Sequence, residues 1–270
     1  MHVFKGYESE VFDDADGGKV VNKNKEKKTK FFIPIIVGVI IVGAFLLNNP
    51  IRSLIAVSTM KPLSTQEVMT GIYAVNNRFV NLYVYKCGDQ YIVFDGGVDD
   101  KATKSALDSF DIDVNNIAAV FLSHTDNDHV AAVSLFPSAM IYMAESNKTF
   151  LEESTGRSRS SGFINTGMDF SSLKDGETLT VADTQVQCIY TPGHTDGSAS
   201  YLVNGKYLFT GDNLHLKKST AVLFSDVFNM SNDIQEQSLR KLAKLEGIES
   251  VFTMHSGYTT DFQTAFSAWR

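Results

Sequence analysis

Hydrophobic and polar positions divide the chain into three textures. Residues 1–30 are polar, with early acids and then the lysine-rich VNKNKEKKTK, and offer little to bury, so a disordered tail is expected there. Phe31–Leu47 reads FFIPIIVGVIIVGAFLL, without one charged or strongly polar side chain. At about 1.5 Å per residue a helix over that run reaches about 26 Å, against a hydrocarbon core of roughly 30 Å. Pro34 stands near its start, where a helix best tolerates proline. A run with no polar face suits a buried core helix badly. A cleavable signal peptide also fits poorly, because the basic region is long and NNPIRSLIAVSTM has no clear A-x-A site. The pattern predicts one transmembrane helix over 31–50, followed by a linker over 51–66. Lys23, Lys25, Lys27, Lys28 and Lys30 precede the span, whereas only Arg52 and Lys61 follow closely. The positive-inside rule then puts residues 1–30 in the cytoplasm and everything after Leu47 outside it.

From about residue 67 to 270 the pattern is that of a globular domain. GIYAVNN, FVNLYVYK and QYIVFDGG are short aromatic and β-branched runs broken by turn residues, and read as strands. DDKATKSALDSF predicts an amphipathic helix, IAAVFLSH a buried strand, HVAAVSLF a helix stopped by Pro137, and AMIYMAE a strand. EESTGRSRSSGFINTG reads as a polar loop. Strands resume in ETLTVADTQVQCIYTPG and SASYLVNGKYLFTGD, where Asn204-Gly205 predicts a two-residue hairpin turn. Helical DIQEQSLRKLAKLEG precedes the last strand, ESVFTMHSG. Strand-rich and helical halves in this order predict an α+β fold with two packed sheets and helices outside.

Composition changes this picture little. The 270-residue chain is 43% hydrophobic and 20% charged with a net charge of −7, and that acidity argues against nucleic acid as a partner, which wants a basic face. The two cysteines, Cys87 and Cys188, have no CxxC spacing, so neither a disulfide framework nor a thiolate zinc site is indicated. Each sits in an apolar strand-like run and reads as a small buried hydrophobe. A single bridge between them is the alternative if the domain lies outside the cytoplasm.

The chemistry-bearing residues share a position, each just beyond a predicted strand. His124, Asp126, Asp128 and His129 follow AAVFLS, His194 follows QCIYTPG, Asp212 follows YLFTG and His255 follows VFTM. Loops on one rim of a rigid sheet can assemble a site from distant sequence. Imidazole and carboxylate are the ligands that zinc and other borderline divalent ions take. Any one of these residues alone has a plainer role: Asp128-His129 as a helix N-terminus, Asp126 as a turn former. Together they favour metal binding.

The motifs HTDNDH, TPGHTDGS, TGD and MHSG, with the lead-in FDGG over 94–97, resemble in their order the metallo-β-lactamase superfamily, from about Gly71 to about Gly257. The resemblance implies a four-layer αβ/βα sandwich with a metal site on one edge. Carried over by position, His124, Asp126 and His194 would hold one ion and Asp128, His129 and His255 a second, with Asp212 bridging both. The family usually has histidine where this chain has Asp126, giving HxDxDH in place of HxHxDH. That exchange makes the first set two imidazoles and one carboxylate, which suits iron(II) as well as zinc. Ala131-Ala132 stand where relatives often carry glycines.

The expected activity is that of a membrane-anchored, metal-dependent hydrolase, with two divalent ions, zinc first and iron or manganese as alternatives. A metal-bound hydroxide would attack an ester, lactone, thioester or amide of a small-molecule substrate, with Asp128 orienting the water or accepting its proton. Tyr258 and His215 are candidates for contact with substrate, and Lys217 and Lys218 for attracting an anion. Three other readings stand beside this one. The HxDxDH variant also resembles the extracytoplasmic domains of DNA-uptake membrane proteins, which implies phosphodiester cleavage. A mononuclear iron site at His124, Asp126 and His194 would imply an oxidoreductase. A degenerate scaffold would leave a membrane-tethered binding protein. Specificity is expected from the loops Asn76–Phe79, Glu152–Gly167 and Asn213–Met230, with Phe163, Phe224 and Phe228 among their apolar residues.

Overall fold

Strands form where apolar residues alternate between two buried faces, and helices cover the outer face of each sheet. The computed structural model describes residues 51–147 and 169–270. The expected tail and transmembrane helix and the stretch 152–167, Phe163 included, lie outside the described residues. Among the described residues no helix is long and apolar enough to cross a membrane. Ser53–Arg270 form one compact unit.

The first sheet contains β1 (Gln66–Met69), β2 (Ile72–Asn77), β3 (Val80–Cys87), β4 (Gln90–Phe94), β5 (Ile117–Leu122), β6 (Met140–Ala144) and β7 (Ser171–Leu173), paired in that order. Its first three pairings are antiparallel and its last three parallel. The second sheet is built from β8 (Thr178–Val181), β9 (Thr184–Tyr190), β10 (Ala199–Val203), β11 (Tyr207–Phe209), β14 (Ser250–Thr253) and β15 (Gly257–Thr259). Its spatial order is β15-β14-β11-β10-β9-β8, with β11 and β14 parallel. A separate ribbon pairs β12 (Leu214–Lys217) with β13 (Thr220–Leu223).

Period-2 alternation decides which layer each side chain enters. In β4, Ile92 and Phe94 point between the sheets while Val93 points outward; in β5, Phe121 points inward while Val120 and Leu122 point outward. From the facing sheet come Cys188, Tyr201, Phe209 and Phe252. Phe94 and Phe209 stack across the interface at 3.9 Å, and Phe209 stacks on Phe252 at 4.7 Å. The outer face of the first sheet is covered by helix α2 (Asp100–Ser109) through Ala106 and Leu107. That of the second is covered by α4 (Asn232–Leu242) through Leu239 and Leu242, and by α5 (Phe262–Ala265). Each long helix starts at a side-chain cap: Asp99 accepts from the Ala102 amide and Ser231 from the Ile234 amide. The four layers are those of an αβ/βα sandwich.

Cys87 and Cys188 are free thiols buried in the inter-sheet core, and burial pushes them up to about 11 and about 12. Asn204 and Gly205 turn the chain as expected, at φ of 49° and 68°, but the connection has three residues rather than two, since Val203 pairs with Tyr207. Several features differ from the sequence pattern: β1 and β7 fall outside the stretches read as strands, and β15 and α5 follow what was read as the last strand. HVAAVSLF does not make one helix but splits into α3 (Asn127–Val130) and a 3-10 turn over Val133–Leu135. The backbone there is shared with the glycine loop: Gly96 N–H donates to the His129 carbonyl and Ala131 N–H to that of Gly97. The ribbon β12–β13 falls in a stretch read as loop. Its turn places Lys218 and Ser219 at φ of 51° and 63° without the Asn or Gly that would have signalled it. The segment 51–66, read as a linker, is helical over 51–59 (α1). It continues onto the site, where Lys61 N–H donates to the His255 carbonyl and Leu63 N–H to Asn81 Oδ1.

Candidate metal centre

The site lies where both sheets end on the same rim. β5 runs into Ser123, His124 and the N-terminus of α3, and β9, β11 and β14 deliver His194, Asp212 and His255 from the other sheet. Asp126 occupies the N-cap position of α3, but its side chain makes no capping hydrogen bond. Its Oδ2 instead approaches His194 Nε2 at 3.3 Å and His124 Nε2 at 3.6 Å. Asp128 Oδ2 lies 3.5 Å from both His129 Nε2 and His255 Nε2. Asp212 stands between the two groups, its Oδ2 at 3.2 Å from His255 Nε2, 3.4 Å from His129 Nε2 and 3.6 Å from His194 Nε2.

Each imidazole is oriented from behind through Nδ1, so that its Nε2 faces the cluster. Asp95, buried and at φ 62°, places Oδ2 at 2.8 Å from His129 Nδ1. The same carboxylate accepts the amide and the hydroxyl of Ser123 at 2.7 and 2.9 Å. With its hydrogen committed to Asp95, the Ser123 oxygen is free to accept from His124 Nδ1, 2.9 Å away. His255 Nδ1 meets the Phe79 carbonyl at 2.7 Å, and His194 Nδ1 meets Asn229 Oδ1 at 3.3 Å. Asn229 is in turn clamped by Gln235 of α4, which also donates to the Asp212 carbonyl. Partners of this kind fix the tautomer and direction of metal-binding histidines. Asp95, Ser123, Asn229 and Gln235 were not singled out by sequence; only FDGG marked the first of them, as part of a motif.

Two close approaches let the loops reach this rim. Gly193, at φ 132°, precedes His194, and a Cβ there would lie 2.4 Å from the Gln235 backbone. Gly211, at φ 55°, precedes Asp212, and a Cβ would lie 2.5 Å from that of Ser123.

The electrostatics are those of a cation site. Burial opposes charge on His129, yet the carboxylates of Asp212, Asp128 and Asp95 outweigh it and hold its pKa well above the usual value. Burial also resists ionisation of Asp212, and His255 and His129 overcome it, holding that carboxyl well below its usual range. His124 is pushed down by burial and by neighbouring His129. Nε2 of His124, His129 and His255 and Oδ1 of Asp212 are buried without a hydrogen-bond partner. Buried polar atoms left so are costly. Four of them converging on one space fit divalent cations as the missing partners. The donor atoms sort into two groups, His124, His194 and Asp212, and Asp128, His129 and His255, each within 4.8 Å. Asp126 faces the first group.

A cavity of about 210 Å³ opens over the cluster, walled by Val57, Met60, Phe79, Phe224 and Phe228. Phe79 stacks on His255, and Phe224 sits edge-on to His194 at 5.2 Å. His215 is half-buried on the far side of Phe224, lining an adjoining cavity. Tyr258 does not line either cavity: its ring stacks on Phe252 and its hydroxyl faces the Val68 carbonyl, because β15 turns that side chain toward the inter-sheet core. Lys217 is exposed at the end of β12 and Lys218 in the turn beyond, and neither lines the cavity over the cluster.

Comparison with known proteins agrees with this geometry. A probable metallo-hydrolase of Methanocaldococcus jannaschii is 29% identical over 151 residues, covering 56% of this chain and 63% of its own. A probable polyketide biosynthesis zinc-dependent hydrolase of Bacillus subtilis is 32% identical over 36% of this chain and 38% of its own. A hydroxyacylglutathione hydrolase of Brucella anthropi is 38% identical over 31% and 30%. The chain thus spans less than two thirds of the length of each of these relatives. The fold is also that of a metallo-β-lactamase family protein from Thermus thermophilus, with a TM-score of 0.58 at 22% identity over 74% of this chain and 78% of that one. The model of the metallo-β-lactamase superfamily matches residues 75–248, and the chain belongs to that superfamily.

Proposed function

We propose that this protein is a metal-dependent hydrolase of acyl bonds, an ester, thioester, lactone or amide, held to a membrane by residues 31–47 with its domain outside the cytoplasm. The observation that carries the hydrolase is the convergence of unpartnered buried Nε2 atoms and Asp212 Oδ1 on one space. His124, Asp126 and His194 would hold one divalent ion and Asp128, His129 and His255 a second, with Asp212 between them. Zinc is the first candidate, and relatives named as zinc-dependent and hydroxyacylglutathione hydrolases support both the metal and the acyl bond. Divalent ions supply Lewis acidity and lower the pKa of water from 15.7 to about 7. Asp128, on the cavity wall, orients the attacking water and accepts its proton. The water oxygen bonds to the acyl carbon, the bond to the leaving oxygen, sulfur or nitrogen breaks, and a proton ends on the leaving atom. Phe79, Phe224 and Phe228 keep bulk water off that cluster. The net charge of −7 counts against nucleic acid as the substrate.

The test is the metal content of the purified full chain by plasma mass spectrometry, beside Asp126→Ala. About two zinc per chain, falling toward one in the variant, is expected. Iron near one per chain would replace the hydrolase by a redox enzyme, and no metal after refolding with zinc, iron or manganese would leave a binding scaffold. The anchor is tested separately: protease added outside intact cells should remove the domain, and full protection would overturn the placement.

A further inference from the structure

The cavity over the cluster has a neighbour. A second space of about 210 Å³ is walled by Ala56, Met60, His215, Val222, Leu223 and Phe224. Met60 and Phe224 belong to both linings and form the partition between them. Among the described residues neither lining contains a lysine or arginine, and the first carries the carboxylates of Asp126 and Asp128. Apart from the proposed metal ligands, the described residues of the two linings offer a substrate tail apolar side chains with Thr59, His215 and Ser225. An uncharged hydrocarbon tail would find Val57, Met60, Phe224, Phe228, Val222 and Leu223, and each methylene fully buried is worth about fourfold in affinity.

Part of these walls comes from α1 and from Met60 just beyond it. Ala56, Val57, Thr59 and Met60 turn one side of that segment toward the cavities. At 100° per residue, Ile51, Leu54 and Ile55 fall on the opposite side, and they are 52%, 70% and 57% exposed. Large apolar side chains so exposed mark a contact surface. In the sequence only Asn48, Asn49 and Pro50 separate this helix from the apolar run Phe31–Leu47, the proposed membrane segment. We infer that the substrate is a neutral, long-chain acyl compound partitioned in the bilayer, whose chain enters the two cavities past Met60 and Phe224 while Ile51, Leu54 and Ile55 rest on lipid. This rests on the hydrolase and anchor readings above.

The test uses the full chain in phosphatidylcholine nanodiscs, with empty nanodiscs correcting for partition. Binding of octanol and of ethanol, two neutral probes that undergo no hydrolysis, is measured by calorimetry with and without zinc. Octanol is expected to bind tenfold or more tighter, and Met60→Glu to remove most of that difference. Equal binding of the two alcohols overturns the chain pocket. Hydrolysis of nitrophenyl octanoate held in the nanodiscs is then compared with that of nitrophenyl acetate in water. The double change Leu54→Asp and Ile55→Asp lies outside both cavities. It is expected to slow the octanoate severalfold and leave the acetate unchanged; an unchanged octanoate rate overturns the bilayer as source. Preferential octanol binding with no hydrolysis of either ester overturns the hydrolase reading and leaves the pocket assignment standing.

Discussion

The residue that organises the cluster is one that binds no metal in any reading of the motifs. Asp95 spends one oxygen on the Ser123 amide and the other on the Ser123 hydroxyl and His129 Nδ1. Through Ser123 it also reaches His124. Asp95→Asn keeps the shape and removes the charge that fixes the His129 tautomer. It is expected to weaken metal binding about 10–100-fold, read by competition with a chromophoric chelator; unchanged affinity would mean the histidines are oriented by packing alone. The seven candidate ligands were legible because their types and order are a property of the chain, and so was FDGG as a motif. The role of Asp95 was not, since its hydrogen bonds join residues 28 and 34 positions apart. Asn229 and Gln235 were less legible still: nothing in NMSNDIQEQ distinguishes a clamp on His194 from an ordinary helix start. Tyr258 illustrates the converse, proximity in sequence to His255 without proximity of the side chain to the cavity.

At the scale of elements, hydrophobic periodicity carried most of the information. The central strands were readable because they bury both faces, as β4 and β5 do, and α2 and α4 because each buries one stripe. The ribbon β12–β13 and the helix α1 were not, the first for want of a turn signal at Lys218-Ser219 and the second because nine mixed polar and apolar residues beside a long apolar run read most simply as a linker. What joins elements at the rim is steric. α4 approaches the loop bearing His194 so closely that Gly193 has no room for a side chain. Gly193→Ala must both strain a φ of 132° and push back the Gln235 backbone, so a loss of about 1–3 kcal/mol in unfolding free energy is expected from urea titration. Because Gln235 holds Asn229 and the Asp212 carbonyl, metal affinity should fall with it. A variant as stable and as tight-binding as the parent would refute the close approach.

Across the whole molecule the candidate centre is divided between the two sheets. His124, Asp126, Asp128 and His129 follow β5 of the first; His194, Asp212 and His255 follow β9, β11 and β14 of the second. The sheets are otherwise joined by the apolar interior around Phe94, Phe121, Phe209 and Phe252. Without cations, the rim gathers the carboxylates of Asp126, Asp128 and Asp212, with Asp95 behind them, and leaves three imidazole nitrogens unpartnered. Ions held by both halves should therefore act as a clamp on the packing, and metal binding should be linked to folding. A ligand that binds the folded chain alone stabilises it by about 2.7 kcal/mol at one hundred times its dissociation constant. Thermal unfolding of the full chain with zinc in that excess should shift upward by several degrees relative to chain stripped with a chelator. The shift should be smaller in Asp212→Ala, which removes a carboxylate that touches histidines of both groups. If zinc raised the unfolding temperature equally in both, the two sheets would not be bridged through Asp212, and the two metal groups would have to be read as independent sites.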